Sequence, residues 1–161
     1  MRTSISQFRL LVDFMQKHNR YICASASPMY RKICHLILMQ MTMKQIKQTG
    51  KTIRKTCQPK NNVADEKIDP LAKGEFIAEK EVMCYMACVM KMAGTVKNGK
   101  LSYDAAMKQA DMLLPEEIKE PAKAALTACK KVADAYKDIC EAAFHVTKCV
   151  FNHNPDIFYF P

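Results

Sequence analysis

The sequence predicts an all-α fold, a compact bundle of about six short helices, and three observations carry that prediction. Gly is scarce, Trp is absent, and Ala, Lys and Met are common, a composition that favours helices over strands. From Met41 onward apolar residues recur at helical spacing, and no segment shows the alternation of a half-buried strand. Breakers and capping residues then cut the chain into short pieces. At 161 residues there is room for one domain and hardly for two.

The elements follow in order. Met43, Ile46 and Ile53 share one helical face leading to Cys57, and Pro59 with Asn61-Asn62 is expected to end that helix. Asp65 is placed to cap a short helix through Ala72, stopped by Gly74. Glu79 to Ala93 reads as a helix with a broad apolar face and Gly94 as its stop. "KNGK" at 97–100 is a turn, and Ser102 is the N-cap candidate of a helix to Leu113. Pro115 suits the first turn of the next helix, which carries Ile118, Ala125, Leu126, Cys129 and Val132. Pro121 lies near its start, where a proline costs less than in the interior. A last helix is expected from about Asp138 to Cys149. The closing "NPDIFYFP" reads as a non-helical aromatic tail between Pro155 and Pro161.

Charge divides the chain. Residues 1–40 hold Arg2, Arg9, Lys17, Arg20, Arg31 and Lys32 against Asp13 alone, which leaves about +4 of the net +9 for the rest. In that remainder Lys and Glu alternate with apolar residues, as on solvated helix faces. No arginine run or aromatic-basic stripe points to nucleic acid. No stretch approaches the ~18 apolar residues of a membrane span. Residues 1–40 are therefore read as a separate basic extension and 41–161 as the folded domain. Ala24-Ser25-Ala26 is similar to a signal cleavage site, but "QKHNRYIC" before it is polar where a signal peptide is apolar. The extension is read as a failed or wrongly joined signal-peptide region, with Cys23 and Cys34 absent from the mature protein.

Six cysteines lie beyond residue 41 in the pattern C-x26-C-x3-C-x40-C-x10-C-x8-C: Cys57, Cys84, Cys88, Cys129, Cys140 and Cys149. Six thiols allow 15 pairings. Cys84 and Cys88 are about 40° apart around a helix, with side chains running parallel, so each is expected to reach a different neighbour. Cys140 and Cys149 point to opposite sides of theirs. Three bonds joining separate helices are the natural result. Two other chemistries stay open at this point. Cys140, His145 and Cys149 near Cys84 and Cys88 form a possible zinc set, though at no common spacing. A catalytic thiol pair is the other, though it favours C-x-x-C at a helix start. No phosphate loop, His-Glu-x-x-His or nucleophile elbow occurs, so no enzyme, metal or cofactor is expected.

The C-x3-C and C-x8-C spacings resemble those of the six-cysteine insect odorant-binding proteins, the PBP/GOBP family. "MTMKQ" at 41–45, "MCY" followed by Cys88, "MAGTV" at 92–96, the "LLPEE" text and the aromatic-Pro ending resemble a fruit-fly member. The resemblance covers about 41–161. It implies the bonds Cys57–Cys88, Cys84–Cys140 and Cys129–Cys149, three interlocked disulfides around an apolar cavity. It implies a secreted carrier in sensillar lymph, a monomer or weak dimer, for a small hydrophobic odorant or pheromone, with an olfactory receptor complex as a further partner. A lipophile carrier outside smell is the alternative. A basic interaction or nucleic-acid-binding protein acting through residues 1–40 is a further one.

Several helix faces gain a role from the resemblance. Ile46, Thr49 and Ile53 lie on one face. Met86, Met90 and Ala93 lie on another, with Thr95 in the turn after it. Ala143, Val146, Thr147 and Val150 form a third, and Leu101 and Met107 close the side. Spacing alone favours plain core packing. The resemblance reads these residues as pocket lining. It gives Thr95 a hydrogen bond to a ligand hydroxyl, and it places Met90 where the relative has a second polar partner. That departure points to longer apolar ligands with one oxygen: esters, acetates, aldehydes, alcohols or terpenoids. Phe160 is expected to touch the ligand and Asp156 to latch the tail through a lysine. His145 and His153 are candidates to loosen it at low pH.

Overall fold

Thr42 opens the first helix by taking over orphan backbone donors. Its hydroxyl accepts from the Gln45 N–H at 3.3 Å while the Gln45 side chain accepts from the Thr42 N–H at 2.8 Å, a capping box. The computed structural model describes residues 41–161; the extension 1–40, with Cys23 and Cys34, lies outside the described residues. Six α-helices follow: α1 Met43–Asn61, α2 Asp65–Ile68, α3 Lys80–Met92, α4 Tyr103–Leu113, α5 Glu116–Ala128 and α6 Ile139–His153.

Local chemistry accounts for most boundaries. Ser102 accepts from Ala105 N–H at the start of α4, and Asp138 accepts from Cys140 and Glu141 N–H at the start of α6. The differences from expectation are equally local. α1 runs through Pro59, whose missing N–H costs one bond in the last turn, and it ends at Asn62 in left-handed conformation (φ 51°). Asp65 is the first residue of α2 rather than its cap, which is Ala64. α2 passes into a 3₁₀ turn over Asp69–Lys73, closed by Gly74 at φ 83°. Pro115 is the N-cap of α5, Pro121 lies inside that helix, and Val132 falls in a 3₁₀ turn beyond it. α6 continues four residues past Cys149, and the tail includes a 3₁₀ turn at Pro155–Ile157.

The turn at 97–100 is a hairpin, where no strand was expected. β1 Val96–Lys97 pairs antiparallel with β2 Lys100–Leu101 around Asn98 (φ 51°) and Gly99 (φ 75°). Two left-handed residues are what a tight two-residue hairpin needs. Strands of two residues are too short for alternation to show.

α3 is the hub. It packs on α6 and α1, while α4 packs on α5 and α5 in turn on α6. The core gathers around α3, with Val82, Tyr85 and Met86 fully buried. All three bridges implied by the resemblance are formed. Cys57–Cys88 joins α1 to α3, Cys84–Cys140 joins α3 to α6, and Cys129–Cys149 joins the end of α5 to α6. Arg54 of α1 pairs with Asp65 and, at 2.7 Å, with Asp69; Lys67 of α2 pairs with Glu79 and, at 2.9 Å, with Glu81.

Two predictions follow from these ties. Removing the Cys84–Cys140 bridge, with a separation of 56 residues, should cost about 4 kcal/mol by loop entropy, against about 3 kcal/mol for Cys129–Cys149, separation 20. Denaturant melts of Cys84→Ala/Cys140→Ala and Cys129→Ala/Cys149→Ala check the order. The second concerns acid. Hydrogen bonds from Arg54, then Gln58, hold the Asp65 carboxyl below the usual carboxylate range, and those from Lys67 foremost bring Glu81 down to about 2. A depressed carboxyl contributes stability that is complete above the unfolded value, about pH 4, and is lost as pH falls through the folded value. Melts from pH 5 to pH 2 should therefore show a decline that Asp65→Asn/Glu81→Gln flattens.

Candidate functional site

The expected lining residues do not share one environment. Ile53 of α1, Met86 of α3 and Ala143 of α6 are buried in one apolar cluster. Met90 of α3, Leu101 of β2 and Phe160 of the tail are half-buried and pack against it. These six come from three helices, the hairpin and the tail. Thr147 is buried on α6, one turn beyond Ala143. Ile46, Thr49, Met107, Val146 and Val150 are half-buried outside the cluster, and Ala93 is exposed at the C-cap of α3.

The polar groups at this interior are occupied as donors. The Thr95 hydroxyl, expected to seek a ligand oxygen, donates to the Met90 carbonyl at 2.9 Å, and the Thr95 N–H donates to the same carbonyl at 3.1 Å. The Thr147 hydroxyl donates to the Ala143 carbonyl at 2.8 Å. Each proton is thus bound to an orphan or intrahelical carbonyl, and only the hydroxyl lone pairs remain to face a ligand.

Tyr85 was not singled out from the sequence. It is fully buried between Cys84 and Cys88, and its hydroxyl donates to the Pro161 main-chain oxygen. Burial pushes its phenol well above the ordinary value, so the group stays a donor. Its ring meets Phe160 edge-on at 6.3 Å. Phe158 stands edge-on to both Phe151 and Phe76, at 5.1 and 6.4 Å, and Phe76 reaches Phe144 at 6.0 Å. The aromatic ending visible in the sequence was the signal for this network, but its partners lie far off in the chain.

The tail is fastened differently from expectation. Asp156 is exposed and in no ion pair among the described residues. Two tyrosines hold the tail instead: Tyr85 binds Pro161, and the Tyr159 hydroxyl donates to the Lys47 carbonyl of α1 at 3.3 Å. Both fasteners are neutral hydroxyl donors, which lose less hydration beside aromatic rings than the carboxylate of an ion pair would. Gly50 makes this crossing possible, because a Cβ there would overlap the Tyr159 hydroxyl. The histidine at 145 stacks on Tyr136 at 4.1 Å. The Cys140, Cys149, Cys84 and Cys88 sulfurs are all in disulfides, so the zinc and thiol-pair alternatives lose their ligands and nucleophiles.

Gly50→Ala should displace Tyr159 at a cost of about 1–3 kcal/mol. Tyr85→Phe should cost a similar amount by leaving the Pro161 oxygen unpaired. Both should speed protease cleavage within 154–161 while leaving the disulfides intact, as peptide mapping would show.

Comparison with known proteins agrees with this architecture. The sequence pattern of the PBP/GOBP family matches residues 39–153. General odorant-binding protein 72 of Anopheles gambiae is 37% identical over 121 residues, spanning 75% of this chain and 99% of the relative. General odorant-binding protein 19a of Drosophila melanogaster is 30% identical over 124 residues, spanning 75% and 84%. Among solved structures, odorant binding protein 5 of Apis mellifera superposes with a TM-score of 0.71 at 30% identity, covering 76% of this chain and all of that one. Odorant binding protein 4 of Chrysopa pallens gives 0.69 at 36% identity, covering 75% and 99%. With the family pattern spanning residues 39–153 and a relative 37% identical over 75% of the chain, the chain belongs to the PBP/GOBP family.

Proposed function

We propose that residues 41–161 form a secreted carrier that encloses a small hydrophobic ligand, an odorant or pheromone, between α1, α3, α6, the hairpin and the tail. The observation that carries this reading is the meeting of Ile53, Met86, Met90, Leu101, Ala143 and Phe160 in one apolar cluster. Family membership supports the same reading. Two methionines in the set give a wall that adapts to ligand shape. Three disulfides suit an oxidising, extracellular compartment such as sensillar lymph, where the carrier would hand its ligand to an olfactory receptor.

The ligand's oxygen is the point of selectivity. With the Thr95 and Thr147 protons bound to backbone carbonyls, the hydroxyls offer acceptors. A ligand hydroxyl can donate to them, whereas an ester or aldehyde oxygen finds no donor and loses its water bonds on entry. Among the ligand classes that the resemblance implies, long-chain alcohols are thus favoured over esters, acetates and aldehydes. Short alcohols fill too little apolar surface to compete.

Displacement of a fluorescent apolar probe, N-phenyl-1-naphthylamine, from the disulfide-intact protein tests this order. A long-chain alcohol should compete about tenfold better than its acetate, one unpaired acceptor being worth about 1–3 kcal/mol. Met90→Trp, which fills the cluster, should abolish probe uptake. No probe uptake by the unaltered chain would overturn the carrier reading, and equal competition by alcohol and acetate would overturn the ligand class.

A further inference from the structure

The surplus charge of the folded region sits on one helix. Residues 41–161 hold nineteen Lys and Arg against fifteen Asp and Glu. Six of those bases, Lys44, Lys47, Lys51, Arg54, Lys55 and Lys60, lie on α1, which has no acidic residue at all. Residues 62–161 are left with thirteen bases against fifteen acids. The domain is one strongly basic helix on a slightly acidic remainder.

Four of these lysines form a line. At about 100° per residue, Lys44, Lys47, Lys51 and Lys55 fall within about 80° of one another and extend about 16 Å along the helix. The centre of the line lies about 130° around the helix from the Gly50, Ile53 and Cys57 face that α1 buries, with Lys47 nearest to it. All four are exposed, and none is in an ion pair among the described residues. Arg54 on the flank of α1 instead holds Asp65 and Asp69. Lysines off α1 such as Lys91, Lys97, Lys100 and Lys108 are unpaired among the described residues but share their elements with no such line.

We propose that the outer face of α1 docks the protein on an anionic lipid surface through Lys44, Lys47, Lys51 and Lys55. The residue types select this partner. Lysines on flexible stems act as point charges and suit a diffuse planar field, whereas recognition of a shaped acidic partner favours the planar fork of arginine. Gln48 and Thr52, also exposed, lie on the same side of α1, and no exposed aromatic or large aliphatic residue is there to anchor a protein interface. The same lack of an apolar anchor makes the attachment electrostatic and reversible by salt.

Flotation of the full, disulfide-intact chain with vesicles tests the proposal, using phosphatidylserine/phosphatidylcholine mixtures against phosphatidylcholine alone. Each lysine near an anionic leaflet is worth about fivefold in binding. Lys44→Gln/Lys47→Gln/Lys51→Gln/Lys55→Gln should therefore weaken binding to the anionic vesicles by about a hundredfold or more at low salt. Lys91→Gln/Lys97→Gln/Lys100→Gln/Lys108→Gln, exposed positions off α1, removes the same charge and should retain most of the binding. Probe displacement should be unchanged in both variants, which keeps this test separate from the carrier reading. Equal loss in both would reduce the effect to net charge and overturn the assignment to α1. Unchanged binding of the α1 variant would place the contact elsewhere, residues 1–40 included, and overturn it too. So would equal binding to both vesicle types, or capture by an acidic protein with no vesicle binding.

Discussion

Cys84 and Cys88 lie one turn apart on α3 and are pulled in two directions, to α6 and to α1. Everything else about the interior depends on that arrangement. Two bridges from adjacent turns hold α1, α3 and α6 together as a frame, and the third ties the end of α5 to α6. Because the bridges act largely by restricting the unfolded chain, they offset conformational entropy without demanding side chains in the middle. Apolar packing therefore does not have to close every space between the helices. A solid core of the same size has no such freedom, since each missing methylene costs it contacts.

Tyr85 sits between the two staples and converts this frame into a closed domain. A phenol at the centre of an apolar cluster is costly unless its hydroxyl is satisfied. The partner it finds is the last residue of the tail, so the tail is required by the core and not merely laid over it. The same segment crosses α1 where Gly50 leaves room for Tyr159, and its phenylalanines continue the ring network from Phe76. Tail, α1 and α3 are thus coupled through two hydroxyls and a missing side chain, none of which carries charge.

What the sequence could reveal follows from how far each interaction reaches along the chain. Ser102 with Ala105 and Asp138 with Cys140 are contacts within three residues, so those two helix starts were legible. The equally local Thr42–Gln45 box was not read from the sequence, and the cap of α2 is Ala64 rather than the expected Asp65. Spacing also showed that the paired cysteines must leave their helices for different neighbours, and the resemblance supplied the pairing. Helix ends were less legible, because α1 tolerates Pro59 where only one bond is lost and α6 gains a turn beyond Cys149. The tail fastening was illegible for a different reason. Tyr85 reaches Pro161 across 76 positions and Tyr159 reaches Lys47 across 112, and no local pattern encodes such a contact. Asp156 is the charge nearest in sequence, yet it stays exposed while two neutral tyrosine hydroxyls fasten the tail. Likewise Thr95 stood out as a lone hydroxyl, while the Met90 carbonyl that takes its proton is backbone and belongs to no motif.

α1 shows how one short element serves two requirements that pull against each other. Its inner face must be lean enough to let the tail cross, which Gly50 provides, and apolar enough to join the cluster, which Ile53 provides. Its outer face repeats lysine at turn spacing, and like charges one turn apart destabilise a helix by a few tenths of a kcal/mol each. A helix with that self-repulsion and an internal glycine is weak by propensity. It is held by what surrounds it: the capping box at Thr42, the Arg54 pairs to Asp65 and Asp69, and Cys57 bonded to α3. All three lie at its ends or flank, outside the lysine line. The bridge and ion pairs therefore stabilise an unneutralised basic face that α1 alone disfavours, and leave that face open to an external counter-charge.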